Sequence, residues 1–308
     1  MILNTGNRTD IPAFYSKWFM NRIHEGFVLV RNPYVHNQVI RYDLDPKNIE
    51  ALIFCSKNPE PMLRYIDELK KYRMFWFVTI TPYGKDIEPN VPYKNEVIDT
   101  FSKISDKVGH KCMSWRYDPV FLSDKYSIDY HFKAFETMTE RLDGYTDQVV
   151  ISYIDLYEKT KRNFPEAREV DREKQIEMTK YFVEVAGKHH MKVMLCHESE
   201  ELAAYGADVS GCLSKEVLEE ALGEKLIIRK KPEARQGCAC LLNNDIGAYN
   251  SCGHLCRYCY ANYDSYLVKQ NMAKHDPDSP LLIGNIEKDD VIKESRQESV
   301  IDERISLF

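Results

Sequence analysis

Ala51-Leu-Ile-Phe-Cys55 runs into Ser56-Lys57-Asn58-Pro59, and Met74-Phe-Trp-Phe-Val-Thr79 runs into Ile80-Thr81-Pro82-Tyr83. Each is a short apolar, β-rich run that ends in polar residues and is followed by a helical pattern. Such a run, bounded by turn residues, reads as a strand buried on both faces, and strands of this kind alternating with helices make parallel βαβ units. Met74-Phe-Trp-Phe77 therefore reads as buried strand, not as a base-stacking platform. The same rhythm predicts further strands at 2–4, 111–115, 148–152, 192–196, 208–212 and 226–229. Helices fit between them at 13–24, 61–71, 94–107, 130–142, 172–189 and 215–222, with a turn at 199–205. Two β-rich stretches, 26–33 and 38–42, look like a hairpin decorating the first crossover. Eight strands with interleaved helices predict an α/β fold, a (βα)8 barrel of the TIM type, complete or lacking strands. A doubly wound open sheet is the alternative, but no glycine-rich dinucleotide fingerprint supports it.

The chain has 308 residues, 44% hydrophobic and 29% charged, which suffices for a large core in one barrel or two domains. Its start, Met1-Ile-Leu-Asn-Thr-Gly-Asn-Arg8, lacks a basic stretch followed by an apolar run, and no segment reaches the apolar length of a bilayer span. No membrane association and a cytoplasmic location are expected. Nine cysteines in such a chain read as metal ligands or reduced thiols rather than a disulfide scaffold. With a net charge of −6, nucleic acid is not indicated as a partner.

Parallel barrels carry their sites at the C-terminal ends of the strands, and those ends are polar here. The first strand leads to Thr5, Arg8 and Asp10, the second to Ser56 and Lys57, the fourth to Arg116, Tyr117 and Asp118. The fifth leads to Tyr153 and Asp155, the sixth to Cys196, His197 and Glu198, and the eighth to Arg229-Lys230-Lys231. Arg8, Lys57 and Arg116 suit an anionic group, and Asp10, Asp118, Asp155 and Glu198 suit an amine or hydroxyls. Arg8, Asp10, Lys57, Arg116, Asp118 and Asp155 are the candidate catalytic residues.

Chemistry is written most strongly in Cys252-Gly-His-Leu-Cys256-Arg-Tyr-Cys259-Tyr260. Three cysteines spaced x3 then x2 can hold three irons of a 4Fe-4S cube and leave the fourth iron open to a small molecule. A zinc ribbon more often uses x2 spacing in both halves with a distant second pair. His254, inside the loop, reads as loop filling. The spacing, with an aromatic residue after the third cysteine, resembles the signature of radical S-adenosylmethionine enzymes. That resemblance implies a 4Fe-4S cluster on Cys252, Cys256 and Cys259, S-adenosylmethionine as second cofactor, and an external electron donor of the flavodoxin or ferredoxin type. It also implies a 5′-deoxyadenosyl radical acting on a substrate the sequence does not identify. Two departures stand out: the loop follows the last strand instead of the first, and no Gly-Gly-Glu is present. The first is accommodated as in a circular permutation, with the loop capping the barrel mouth. The second leaves contacts to S-adenosylmethionine to Thr5, Asn7, Arg8 and Asp10, with the backbone at Tyr260 meeting the adenine.

The wider block Gln236-Gly-Cys238-Ala-Cys240, Asp245-Ile-Gly247-Ala-Tyr249 and the cysteine loop through Asn262 resembles a bacterial family labelled only as a domain of unknown function. Arg8-Thr-Asp-Ile-Pro-Ala-Phe-Tyr15 and Ser56-Lys-Asn-Pro59 resemble it too. The resemblance spans residues 2–262 and links the chain to the radical S-adenosylmethionine superfamily through its cysteines.

Cys238 and Cys240 need partners, and the strand count places Cys196 and Cys212 at neighbouring strand ends. These four thiols are predicted to form a second site, an auxiliary iron–sulfur cluster or a zinc. Cys55 and Cys112 read as core or wall residues. The predicted organisation is a barrel over 1–235, a cysteine-rich cluster-binding segment over 236–285 and a charged tail over 286–308, helical or solvated. The function read from the sequence is a radical S-adenosylmethionine-type enzyme. The alternatives are an iron–sulfur electron-transfer or metal-binding protein, and a hydrolase or lyase barrel with structural zinc that uses Asp118, Asp155 and His197.

Overall fold

Six strands pair in parallel in the order in which they occur in the chain, so the polypeptide winds across one sheet without reversing. The structure is a computed structural model and describes residues 1–228 and 240–302. The strands and helices are β1 (Ile2–Asn4), α1 (Ile11–Phe14), α2 (Ser16–Glu25), β2 (Phe27–Arg31), β3 (Gln38–Asp43), β4 (Ala51–Ser56), α3 (Glu60–Leu63), α4 (Ile66–Leu69), β5 (Met74–Thr79), α5 (Lys94–Val108) and β6 (Met113–Val120). They continue with α6 (Ile128–Leu142), β7 (Gln148–Tyr153), α7 (Glu158–Asn163), α8 (Arg172–Lys188), β8 (Lys192–Leu195), α9 (Lys215–Leu222), α10 (Ser265–Ala273) and β9 (Val291–Glu294). The main sheet is β1-β4-β5-β6-β7-β8, and a second sheet is β2-β3-β9.

Alternation along the strands gives the sheet two apolar faces. Leu52, Phe54, Trp76, Val78, Trp115, Val149 and Ile151 pack with Trp18, Phe19, Phe101, Phe135 and Phe182 from the helices. Ile53, Phe75, Phe77, Val150 and Met194 face the other way, against Leu218 of α9 and Leu213 and Leu241 of the connections. Both faces are dry, which is what a continuous apolar run in a parallel strand demands. Side-chain caps start the helices where the sequence offers them: Ser127 accepts from Tyr130 N (3.3 Å), Asp171 from Lys174 N (3.1 Å) and Ser214 from Val217 N (3.3 Å).

The predicted eight-stranded barrel is not what forms. The expected seventh strand, 208–212, contributes one bridge, Met194 to Asp208. There the Asp208 carboxylate accepts from Ser210 N (2.7 Å) and Gly211 takes φ 112, so the backbone turns instead of extending. The expected eighth strand, 226–229, is described only to 228, and its Leu226 bridges Ile301 in antiparallel sense. The edge of β1 is met instead by residues 244–246, where Asn4 N donates to Asn244 O (3.2 Å) and Ile246 N to Asn4 O (3.0 Å). The sheet is thus bounded by β1 and β8, with the smaller mixed sheet beside it, among the described residues. The hairpin expected after the first helix forms as β2 and β3 in antiparallel register. The tail differs from the helix expected there, since β9 adds in parallel to β3. The strand expected at 111–115 runs instead from Met113 to Val120, which puts Arg116 and Asp118 inside β6 rather than beyond it.

Candidate functional site

The cysteine loop lies over the C-terminal ends of β1, β4 and β5, and its own amides shape it. Asn250 N donates to Ala261 O (3.0 Å), Asn262 Nδ2 to Cys252 O (2.8 Å) and Tyr263 N to the Asn250 side chain (2.5 Å), so the two ends of the loop close on each other. Leu255 takes φ 55, a reversal that few non-glycine residues make, between His254 and Cys256. His254 points inward, fully buried, with Nε2 2.8 Å from Asp10 Oδ2 and its ring edge-on to Phe14. Gly253 leaves no room for a side chain, because an added Cβ would sit 2.8 Å from Phe14 Cε1 and 3.2 Å from Met272 Cε. Cys252, Cys256 and Cys259 all keep part of their surface open to solvent.

Asp10 ties this loop to the sheet. Its Oδ1 accepts from Ala13 N (3.0 Å) at the start of α1 and from Ser56 Oγ (2.8 Å); its Oδ2 accepts from Lys57 N (2.7 Å) and faces His254. On the far side, Arg257 N donates to Ile87 O (3.0 Å), and the Arg257 side chain reaches Asn163 O and Glu166.

Under Cys256 sits a buried charged group that the sequence pattern did not single out. Glu88 Oε1 accepts from Lys57 Nζ (2.8 Å), Thr81 Oγ1 (2.7 Å) and the Tyr258 hydroxyl, while Oε2 takes the Lys94 ammonium. Burial alone would raise the Glu88 carboxyl, but the charges and hydrogen bonds of Lys57 and Lys94 outweigh it and hold the carboxyl at about 2. The Cys256 thiol is pushed up by burial, opposed by Lys57 and Lys94 and reinforced by Glu88 and Cys259. Cys252 is pushed well up by burial, then by Asp10, Cys259 and Cys256. The three thiols therefore act on one another electrostatically. Even so, among the described residues no three or more His, Cys, Asp or Glu side chains stand as the ligands of one metal ion would.

The remaining expected site residues fall into two roles. Thr5 Oγ1 donates to Ile53 O (3.1 Å) in β4, while Asn7 Nδ2 donates to Leu242 O (3.2 Å) and Arg8 Nε to Asp245 Oδ2 (2.6 Å), fastening residues 242–245 to the chain that leaves β1. The Tyr260 hydroxyl closes the same seam by donating to Asn7 O. Asp245, which also accepts from Gly247 N (3.1 Å), was legible only as part of the family block. Asp155 is exposed near the end of β7, and His197 is exposed with φ 60. Glu198 accepts from Tyr153 N (2.7 Å) and Ser152 Oγ (3.2 Å), and burial raises its carboxyl to about 7.

Arg116 and Asp118 form an ion pair within β6, and Arg116 faces the second apolar side of the sheet, over the Phe77 ring. There its Nη1 lies 3.5 Å from Cys212 Sγ, which in turn is 3.1 Å from Cys240 Sγ and 3.9 Å from Cys196 Sγ. Of the four thiols expected to converge, Cys212 lies beside both Cys196 and Cys240; the fourth, Cys238, like Arg229, Lys230, Lys231 and Gln236, lies outside the described residues. Cys55 stands apart, 3.9 Å from Asn4 Oδ1, and Cys112 donates toward Ala221 O (3.4 Å).

The family model described as Domain of unknown function (DUF1848) matches residues 2–261. The chain belongs to that family. A comparison with curated proteins finds no match. No helix among the described residues is long and apolar enough to cross a membrane.

Proposed function

We propose that this chain is an iron–sulfur enzyme of the radical S-adenosylmethionine type, with Cys252, Cys256 and Cys259 holding a 4Fe-4S cluster. The observation that carries the reading is the loop itself: three partly open thiols act on one another, fixed by His254 to Asp10 and backed by Lys57, Glu88 and Lys94. The chemistry such a group supplies when bound is one-electron reductive cleavage of the S-adenosylmethionine sulfonium. Asp10 and His254 would hold the loop against α1 and β4. Lys57 and Lys94 place positive charge beside Cys256, favouring its thiolate form, while Glu88 keeps both ammonium groups in place. An external electron donor and a substrate of unknown class belong to this reading.

A second reading, an iron–sulfur protein that does not cleave S-adenosylmethionine, is favoured by one observation. Thr5, Asn7 and Arg8, whose side chains were expected to hold that cofactor, already bind Ile53, Leu242 and Asp245. Anaerobic reconstitution, reduction with dithionite and an assay for 5′-deoxyadenosine separates the two. Formation of 5′-deoxyadenosine, lost in Cys256→Ala, supports the enzyme. A full cluster that yields none, and whose electron paramagnetic resonance spectrum ignores S-adenosylmethionine, establishes the second reading instead.

A further inference from the structure

We infer that Cys196, Cys212 and Cys240 form a separate thiolate site for a single tetrahedral divalent cation of the zinc class. The three come from distant parts of the chain: Cys196 directly follows β8, Cys212 follows the turn at Gly211, and Cys240 opens the segment that leads to the edge of β1. Their exposures are 8%, 0% and 2%, within an apolar group that includes Ile53, Phe77, Met194, Leu213 and Leu241. A single free cysteine packs as a small hydrophobe, but three sulfurs gathered in one apolar group, with Cys212 touching both others, suit a metal ion that thiolates favour.

Distance decides which kind of metal centre. Zinc–thiolate bonds of about 2.3 Å at tetrahedral angles put neighbouring sulfurs about 3.8 Å apart. The Cys212 contacts, 3.1 and 3.9 Å, bracket that edge, whereas a cube would hold its thiolates on different irons and much further apart. Cys212 is the shared corner, in contact with both other sulfurs. The three sulfurs as they stand are not yet arranged as the ligands of one ion; a cysteine thiol swings about a single torsion, and binding of the ion would draw Cys196 and Cys240 together around it. Arg116 supplies the second, independent sign of charge. Three thiolates around one divalent ion leave a net negative site, and the half-buried Arg116 guanidinium, shared with Asp118, donates toward Cys212 Sγ at 3.5 Å. Three sulfurs leave one tetrahedral position for a donor other than these. The site does not depend on the cysteine loop and stands whether or not the loop holds iron.

The test is metal analysis of the full chain purified without oxygen. About one zinc per chain is expected. It should be lost from Cys212→Ala and from Cys240→Ala while iron and sulfide stay, and it should be kept when Cys252, Cys256 and Cys259 are all replaced by alanine. Removing a buried thiol can itself unfold the chain, so cobalt(II) exchanged into the unaltered protein gives a second readout. Expected are thiolate-to-cobalt charge-transfer absorption and the visible bands of tetrahedral coordination. Wild-type protein without zinc, zinc unchanged in a folded Cys212→Ala variant, or cobalt that binds with no thiolate band would each overturn the site. Loss of iron and sulfide from a folded Cys212→Ala variant would replace the single ion with a cluster and overturn it equally.

Discussion

Two groups of three cysteines lie in this molecule, and they are built in opposite ways. Cys252, Cys256 and Cys259 are neighbours in sequence, partly open, and ringed by Asp10, Lys57, Glu88 and Lys94. Cys196, Cys212 and Cys240 are brought together from far apart, are buried, and have apolar neighbours, with the Arg116–Asp118 ion pair beside Cys212. A short loop can arrange its own ligands, but it must be fastened from outside. A buried site gets its rigidity from the core and needs its ligands delivered by separate strands. The first kind is therefore vulnerable at its anchors, and the second at its backbone turns.

The largest effect expected from breaking an anchor is at Glu88. Glu88→Gln leaves Lys57 and Lys94 facing each other without their shared carboxylate, a loss of about 3–5 kcal/mol by chemical denaturation. The sign of its pH dependence follows from a carboxyl held at about 2 against an ordinary 4.5. Its stabilisation is complete above pH 4.5 and fades as pH falls toward 2, so the variant should lack that acid-side slope in a urea series against pH. An unchanged slope would show that Glu88 does not carry the charge network. Next comes Asp10→Asn, which cannot accept as its parent does from Ser56, Lys57, Ala13 and His254 together. About 2–3 kcal/mol should be lost, with iron retention reduced and zinc retention untouched. Equal loss of both metals would erase the contrast between the two regions.

Glycines sharpen the contrast further. Gly253→Ala forces a methyl against Phe14 and Met272, whereas Gly211→Ala asks a side chain to adopt φ 112. Each should cost about 1–2 kcal/mol, the first by overlap and the second by conformation. Phe14→Leu should relieve the first and leave the second as it was, measured by thermal unfolding of the double variants. The smallest effects belong to Cys55→Ala and Cys112→Ala, whose thiols meet Asn4 and Ala221 rather than another sulfur. Both variants should keep every metal ion and change stability by no more than about 1 kcal/mol.

Local signals were easy to read and closure was not. Apolar runs gave β1, β4, β5, β7 and β8 within a residue or two, because a buried parallel strand has no polar face to blur it. The stretch 208–212 carries the same residue types, yet Asp208 caps its own turn, and that competition between side chain and ladder is invisible in an apolar count. With that strand missing, the count that implied a closed barrel fails. β6 was placed too early, so Arg116 and Asp118 were assigned to the rim when the first of them belongs to a sheet face. Spacing singled out the loop cysteines, but not Glu88 or Lys94, since a buried ion-pair network has no sequence period. Asp10 and Lys57 were found by strand phase; in the structure one is a hub of hydrogen bonds and the other half of an ion pair.

The contrast between the two regions rests on the loop carrying an iron–sulfur cube, and iron with acid-labile sulfide in anaerobic protein tests that directly. Wild-type chain should be brown with about four of each per chain. Replacing Cys252, Cys256 and Cys259 by alanine should remove them and leave zinc in place. Stoichiometric zinc on the loop cysteines with no sulfide at all would contradict the cube.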